Sequence, residues 1–180
     1  MEDSLVTTNQ YLTFSLAEED FAIEIEKVRE VLDYTTITKI PRTPTFLRGV
    51  INLRGSVVPV IDLRLCLNMH AAKKTVDTCI VIVDVCVEGQ GIQLGALADS
   101  VQEVLDIDPT QIDPAPKIGT KLNTEYIRGM GKRCDDFVII LDIDKVLSAD
   151  QFSVIASAAD SVNSRSKGAS PLVVDVEDAA

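Results

Sequence analysis

The sequence predicts a mostly β fold: two small five-stranded barrels and one helix toward the C-terminal end. Two observations carry this. The apolar runs are short and rich in β-branched residues, and they are bounded by glycines, prolines and acidic turns, as buried strands are. The chain also repeats itself. Phe46-Leu47-Arg48-Gly49-Val50 returns as Tyr126-Ile127-Arg128-Gly129-Met130, 80 residues later. Val57-Val58-Pro59-Val60-Ile61-Asp62-Leu63 returns at the same offset as Phe137-Val138-Ile139-Ile140-Leu141-Asp142-Ile143. Upstream, Val28-Arg29-Glu30-Val31-Leu32-Asp33 matches Val101-Gln102-Glu103-Val104-Leu105-Asp106 at an offset of 73. The period is too long for a solenoid. It describes one fold built from two copies of a small β module, and closing each copy removes exposed sheet edges.

In chain order, residues 1–9 read as a flexible N-terminus. Tyr11–Leu16 alternates like a strand, Ala17-Glu18-Glu19-Asp20 turns it, and Phe21–Ile25 returns as the second arm of a hairpin. Glu26–Asp33 has helical spacing at Ile25, Val28 and Leu32 but β-branched residues at Val28 and Val31. It reads as a short turn or helix entering a strand that runs on through Ile37 to Ile40. Pro41-Arg42-Thr43-Pro44 is a stiff loop. The glycine-punctuated Phe46–Leu67 stretch follows, holding Arg48 and Arg54 beside an apolar run. Pro59 within that run implies an edge or a bulge.

Polar residues from Asn68 to Asp77 join the modules. Cys79–Val83, Ile92–Ala98 and Val101–Ile107 are the next strands, and Tyr126–Met130 and Phe137–Ile143 complete the second copy. The segment after Lys145 has an amphipathic helical pattern with Ser148 as N-cap. The expected division is a first barrel over residues 10–73, a second over 74–148, a helix over 149–162 and a disordered acidic tail over 163–180.

Composition narrows the function. The net charge is −11, which disfavours nucleic acid and anionic membrane surfaces alike. The start of the chain is acidic and shows no secretory pattern, and no apolar run approaches the roughly 18 residues of a membrane span. There is no Trp, and aromatics are 4%, so the core is aliphatic. The four cysteines lack C-x-x-C spacing and read as small reduced core residues.

Residues capable of chemistry are sparse. His70 is the sole histidine and sits in the polar connector, where an exposed loop side chain is the expected role. Asp142 with Asp144, and Asp106 with Asp108, place carboxylates two apart along a strand. The rest of a Ca²⁺ loop is missing, so they read as solvated strand ends. Gly89-x-Gly91 and Gly129-x-Gly131 lack the remainder of a phosphate-binding pattern. No cofactor and no metal are expected. What remains is surface. Val57–Ile61, Ile80–Val83 and Phe137–Leu141 are apolar on both strand faces, yet only one face of a barrel strand points inward. The other faces must meet the sister barrel, the helix or another protein.

Several of these segments resemble the CheW-type chemotaxis coupling proteins. The residues are Val28-Arg29-Glu30-Val31, Asn52-Leu53-Arg54-Gly55, Val58-Pro59-Val60-Ile61-Asp62-Leu63-Arg64, Ile112-Asp113-Pro114-Ala115-Pro116 and Tyr126-Ile127-Arg128-Gly129. The resemblance spans roughly Gln10 to Val162, and residues 163–180 extend past it. It implies two intertwined SH3-like barrels and a cytoplasmic, non-catalytic adaptor beside receptor arrays at the inner membrane. The adaptor would join chemoreceptor cytoplasmic tips to the regulatory domain of a CheA-type histidine kinase. By the same resemblance, Arg54 is the main receptor-facing charge, with Val28 and Glu30 at the same groove. Val101 and Val104 would line the second barrel's part of it. Read from the residues alone, the rival for Arg54 is a solvated turn residue, with the contact role favoured, and the rival for the two valines is a core position, evenly balanced with contact. The rival function is a small-ligand binder or enzyme using the groove between barrels. A rival assignment of the same fold, as the coupling module of a CheV-like protein or a kinase's regulatory domain, would need a further domain beside it.

Overall fold

The computed structural model describes residues 9–67, 69–70, 72–114, 126–133 and 136–168, with backbone alone at 133 and 160–168. Its strands are β1 (Asn9–Leu16), β2 (Glu19–Glu24), β3 (Val28–Asp33), β4 (Leu47–Leu53), β5 (Ser56–Asp62), β6 (Cys79–Val87), β7 (Gln90–Ala98), β8 (Ser100–Ile107), β9 (Ile112–Asp113), β10 (Ile127–Arg133) and β11 (Asp136–Leu141). Two single-turn helices, α1 (Leu63–Cys66) and α2 (Ile143–Val146), follow β5 and β11, and α3 (Ala149–Gly168) closes the described chain. The expected N-terminal tail and most of the expected acidic tail lie outside the described residues.

Two sheets form, and neither is drawn from one half of the sequence. The six-stranded sheet has the order β8-β1-β2-β11-β10-β9, and the five-stranded sheet has the order β3-β6-β7-β5-β4. The hairpin β1–β2 of the first copy therefore lies in the sheet of the second copy, and β6–β7 lies in the sheet of the first. The exchange is symmetrical. β2 runs parallel to β11 through Phe21↔Ile139 and Ala22↔Ile140, and β7 runs parallel to β5 through Gly95↔Val60 and Ala96↔Ile61. Residue 73 thus marks where the repeat restarts, not where one sheet ends. The barrels are intertwined.

Three cores explain the strands that are apolar on both faces. Tyr11, Ala22, Ile107, Val138 and Ile140 cluster within the six-stranded sheet. Ile51, Val58, Val60, Ile80 and Ile82 do so within the five-stranded sheet. The alternate residues of the same strands (Leu12, Val81, Val83, Ile61 and Leu141 among them) pack into a third, larger core shared by both sheets. Each exchanged strand therefore buries one face in its barrel and the other against the sister barrel. The contact between barrels covers nearly all the apolar surface that the sequence left unassigned. The large apolar side chains still exposed among the described residues are Val31, Val76, Val104, Phe137 and Val154.

Local details follow the repeat closely. β4 and β10 each bulge, at Leu47/Gly49 and at Ile127/Gly129. A Cβ at Gly49, whose φ is +143°, would sit 2.1 Å from the Thr38 carbonyl oxygen; one at Gly129 would sit 2.7 Å from that of Asp113. The glycines let a crossing segment bond to the strand, as Thr38 does to Val50 through N–H···O contacts of 2.9 and 2.8 Å.

Three expectations need correction. Beyond Asp33 the chain leaves the sheet, and only the single bridge Thr38↔Val50 replaces the strand expected to continue to Ile40. Strand β11 stops at Leu141, short of Ile143, because Asp142 caps α2 by accepting from Asp144 N, as Asp62 caps α1 after β5 by accepting from Arg64 N. Asp142 and Asp144 are thus a cap and a first-turn residue, not two carboxylates on a strand. The expected edge at Pro59 is present: β4 flanks it on one side, and β7 joins β5 only from Val60 onward, so the missing N–H costs no bond there.

Helix α3 begins as expected. Ser148 Oγ accepts from Gln151 N at 3.1 Å, while Gln151 Oε1 accepts from Ser148 N at 2.9 Å, a reciprocal capping box. Phe152, Ile155, Ala158 and Ala159 form its buried stripe. The helix runs to Gly168, six residues past the expected end at 162.

Candidate partner-binding surface

The candidate surface starts from the two-residue turn between β4 and β5. Arg54 and Gly55 both have positive φ, +52° and +89°, and Leu53 pairs directly with Ser56. This is the pattern of a type I′ hairpin, whose twist matches that of the strands. Gly55 N donates to Asn52 Oδ1 at 2.8 Å. The geometry aims Arg54 away from the sheet, and its side chain is 67% exposed.

Arg54 meets Glu30 of β3 in a forked contact. Nη1 donates to Oε2 at 2.8 Å, and Nη2 donates to Oε1 at 2.9 Å and to Oε2 at 2.6 Å. Strands β3 and β4 are the two ends of the five-stranded sheet, so this pair spans the margins where the barrel closes. The planar guanidinium suits a two-oxygen carboxylate, which fixes orientation more than it adds stability at an exposed site.

On β3 the burial alternates. Val28, Glu30 and Leu32 are half-buried, and Arg29, Val31 and Asp33 are exposed. Val28 and Glu30 therefore share a face despite a bulge between them. On the six-stranded sheet, β8 is the matching end strand. Val101, the repeat's counterpart of Val28, is half-buried, and both pack against the shared inter-barrel core. Val104 is 47% exposed. The structure thus joins Arg54 and Glu30 directly and sets Val28 beside them. It places Val101 and Val104 on the other barrel, with Val101 reaching the same central core. One residue escaped the sequence reading. Val31 is the repeat's counterpart of Val104 and is 39% exposed, and the Val-x-x-Val repeat was the signal that could have found it.

Two clasps fix the ends of the barrels. Arg64 of α1 holds Asp99 between β7 and β8, with Nε donating to Oδ1 at 3.0 Å, and Asp99 also accepts from Ala17 N at 2.9 Å. Partial burial pushes the Asp99 carboxyl up, but these bonds outweigh it and hold the group below its ordinary value. At the repeat's counterpart of Arg64, Asp144 of α2 accepts from Lys27 Nζ at 2.7 Å and from Cys86 N at 2.8 Å. The hydrogen bond to Asp144 holds Lys27 above its usual range. The same position in the two copies carries opposite charges. Elsewhere, burial pushes the Cys66 thiol up to about 12, so it is inert packing. His70 is exposed, and its carbonyl accepts from Arg64 at 3.2 Å.

A model of the CheW-like domain matches residues 10–151. The chain belongs to the CheW-like domain family. Chemotaxis protein CheW of Klebsiella aerogenes is 36% identical over 152 residues, covering 84% of this chain and 89% of that protein. Chemotaxis protein CheW of Helicobacter pylori is 33% identical over 141 residues, 78% of this chain and 82% of its own. The crystal structure of the scaffolding protein TtCheW from Thermoanaerobacter tengcongensis superposes with a TM-score of 0.70 at 36% identity, covering 81% of this chain and 91% of that one. The CheW-like fold thus accounts for the exchanged hairpins, and membership places the chain among chemotaxis scaffolds. No helix among the described residues is long and apolar enough to cross a membrane.

Proposed function

We propose that this CheW-like chain is a non-catalytic adaptor that couples the cytoplasmic tips of chemoreceptors to the regulatory domain of a CheA-type histidine kinase. It would work within receptor arrays at the inner face of the membrane. One observation carries the receptor side of the reading: Arg54 holds a left-handed backbone conformation and is presented, forked to Glu30, at the closing margin of a barrel. An arginine at that φ costs about 1 kcal/mol relative to the Asn or Gly that such turns favour. The type I′ turn itself requires that φ, as it does at Glu88 (φ +52°) between β6 and β7, so the support for a contact role comes from the exposed, forked guanidinium.

The receptor tip would meet Arg54 and Glu30 as its polar contacts, with Val28, Val101 and Val104 beside the seam between barrels. Val31 joins them as the counterpart of Val104. The arginine supplies a planar multi-donor group, and the valines supply modest apolar area, so single contacts are weak. Repetition across an array raises effective affinity. The kinase's regulatory domain, of the same fold, would meet a barrel margin elsewhere. The rival reading as an enzyme or small-ligand binder has less support. The enclosed cleft bounded by Arg48, Asp62 and Arg64 holds only about 40 Å³, against the roughly 300 Å³ or more of a ligand pocket, and the larger hollows, about 580 Å³ beside Lys39 and Arg48 and about 470 Å³ beside α3, are open surface grooves.

The test is reconstitution of receptor, kinase and this protein in vitro. Arg54→Ala is expected to leave the thermal unfolding curve in place and to reduce receptor control of kinase autophosphorylation roughly tenfold. Full control retained by that variant would remove Arg54 from the contact.

A further inference from the structure

The charge of this chain is unevenly placed. Residues 34–76 carry seven Lys and Arg side chains and one carboxylate, Asp62, for a local charge of +6. The rest of the chain must then carry −17, since the total is −11. The fold gathers five of these cations, all but Arg42 and Arg54, into two adjoining clefts that share Arg48. The narrow cleft adds Arg64, Lys73 and Lys74. The wider one, about 580 Å³, adds Lys39 beside the apolar walls of Ile40, Pro44, Leu47 and Leu65.

The two carboxylates that line the clefts are already neutralised. Asp62 caps α1 and stands 3.4 Å from Arg48, and Asp99 is held by Arg64. Lys74 lies over the Tyr34 ring, 4.8 Å from its centre. Lys39 and Lys73 make no ion pair among the described residues. A surplus of positive charge therefore flanks an apolar-walled groove on a protein that is otherwise strongly acidic. Arg54 lines neither cleft.

We infer that this groove is a second docking surface, distinct from the Arg54 margin, for an acidic segment of a partner protein with a large apolar side chain among its carboxylates. The apolar walls call for the side chain, and the lysines on either side of Arg48 call for carboxylates flanking it. A lipid surface fits less well, because the −17 carried by the rest of the chain opposes approach to anionic headgroups.

The probes are two fluorescent 15-residue peptides, one of Glu and Leu and the other with Gln in place of each Glu, titrated against the full chain by anisotropy. The Glu peptide is expected to bind and to weaken roughly tenfold in Lys39→Gln/Lys73→Gln/Lys74→Gln. A rise in NaCl from 50 to 300 mM should also weaken it severalfold. Binding should be unchanged in Lys132→Gln and in Arg54→Ala, and the triple variant should keep the parent's thermal unfolding curve. Equal binding of both peptides, or of the Glu peptide to parent and triple variant, would overturn the inference. So would phosphatidylserine vesicles binding the parent but not the triple variant, which would make the surface a membrane contact. Low-salt self-association of the parent that the triple variant loses would instead make the occupant a second copy.

Discussion

Glycine 49 shows how a single residue can be fixed by a neighbour far along the chain. Its φ of +143° and the 2.1 Å approach of the Thr38 carbonyl oxygen to a built Cβ leave no room for a side chain. Gly49→Ala is expected to destabilise the protein by about 3 kcal/mol, measured by urea unfolding. The sequence made Gly49 and Gly129 visible through the repeat, and the crossing backbone gives the reason for both. Asp99 offers a pH test. Its folded-state pKa is depressed, so the stabilisation it gives is present above the unfolded value near 3.9 and is lost as pH falls through the lower folded value. Asp99→Asn should therefore be less stable than the parent by about 1 kcal/mol at pH 7, after allowance for solvent screening. The gap should close as pH falls below about 4, as read from thermal melts across pH. A constant gap down to pH 2 would mean that the Arg64–Asp99 clasp does not contribute through charge. Glu30 and Arg54 were both legible as individual residues. Their forked contact was not, because 24 residues separate them and only closure of the barrel brings them together.

At the level of elements, α3 was read most directly. Its cap, buried stripe and start were all written locally, in Ser148, Gln151 and the spacing of Phe152, Ile155 and Ala159. Ser148→Ala removes the acceptor for Gln151 N and should cost about 1 kcal/mol, visible as a lower melting temperature with unchanged folded-state circular dichroism. Helices α1 and α2 went unread, although each carries a cap signal in Asp62 and Asp142. A single turn is too short for periodicity to register, and the flanking Val/Ile runs favour a strand. The segment after Asp33 failed in the opposite way. Thr36, Ile37, Thr38 and Ile40 have strand propensity, but one bridge to Val50 is all the pairing available at that margin.

For the whole molecule, the exchanged hairpins decide how it folds. Each sheet needs strands from both copies, so neither half can complete a barrel alone. Residues 1–77 and 78–180 prepared separately are expected to lack stable β structure, and mixing them should restore it, as followed by amide NMR. A well-dispersed spectrum from either half alone would contradict this. The same exchange creates the large shared core, which makes the relative placement of the barrels, and with it the seam beside Val28 and Val101, a property of the packed interior.

Most of the strands, the duplication and the helix cap were written in the sequence, because each depends on residues close together or on a pattern that recurs. Tertiary structure alone decided which copy's hairpin joins which sheet. The repeat matches β3, β4 and β5 to β8, β10 and β11 and leaves out both hairpins, so it does not say which sheet β1–β2 or β6–β7 joins. The connections settle it. Asp99 alone joins β7 to β8, and a reversal into an adjacent antiparallel strand needs about two residues, so the chain passes into the other sheet. That constraint appears only once the strand ends are known.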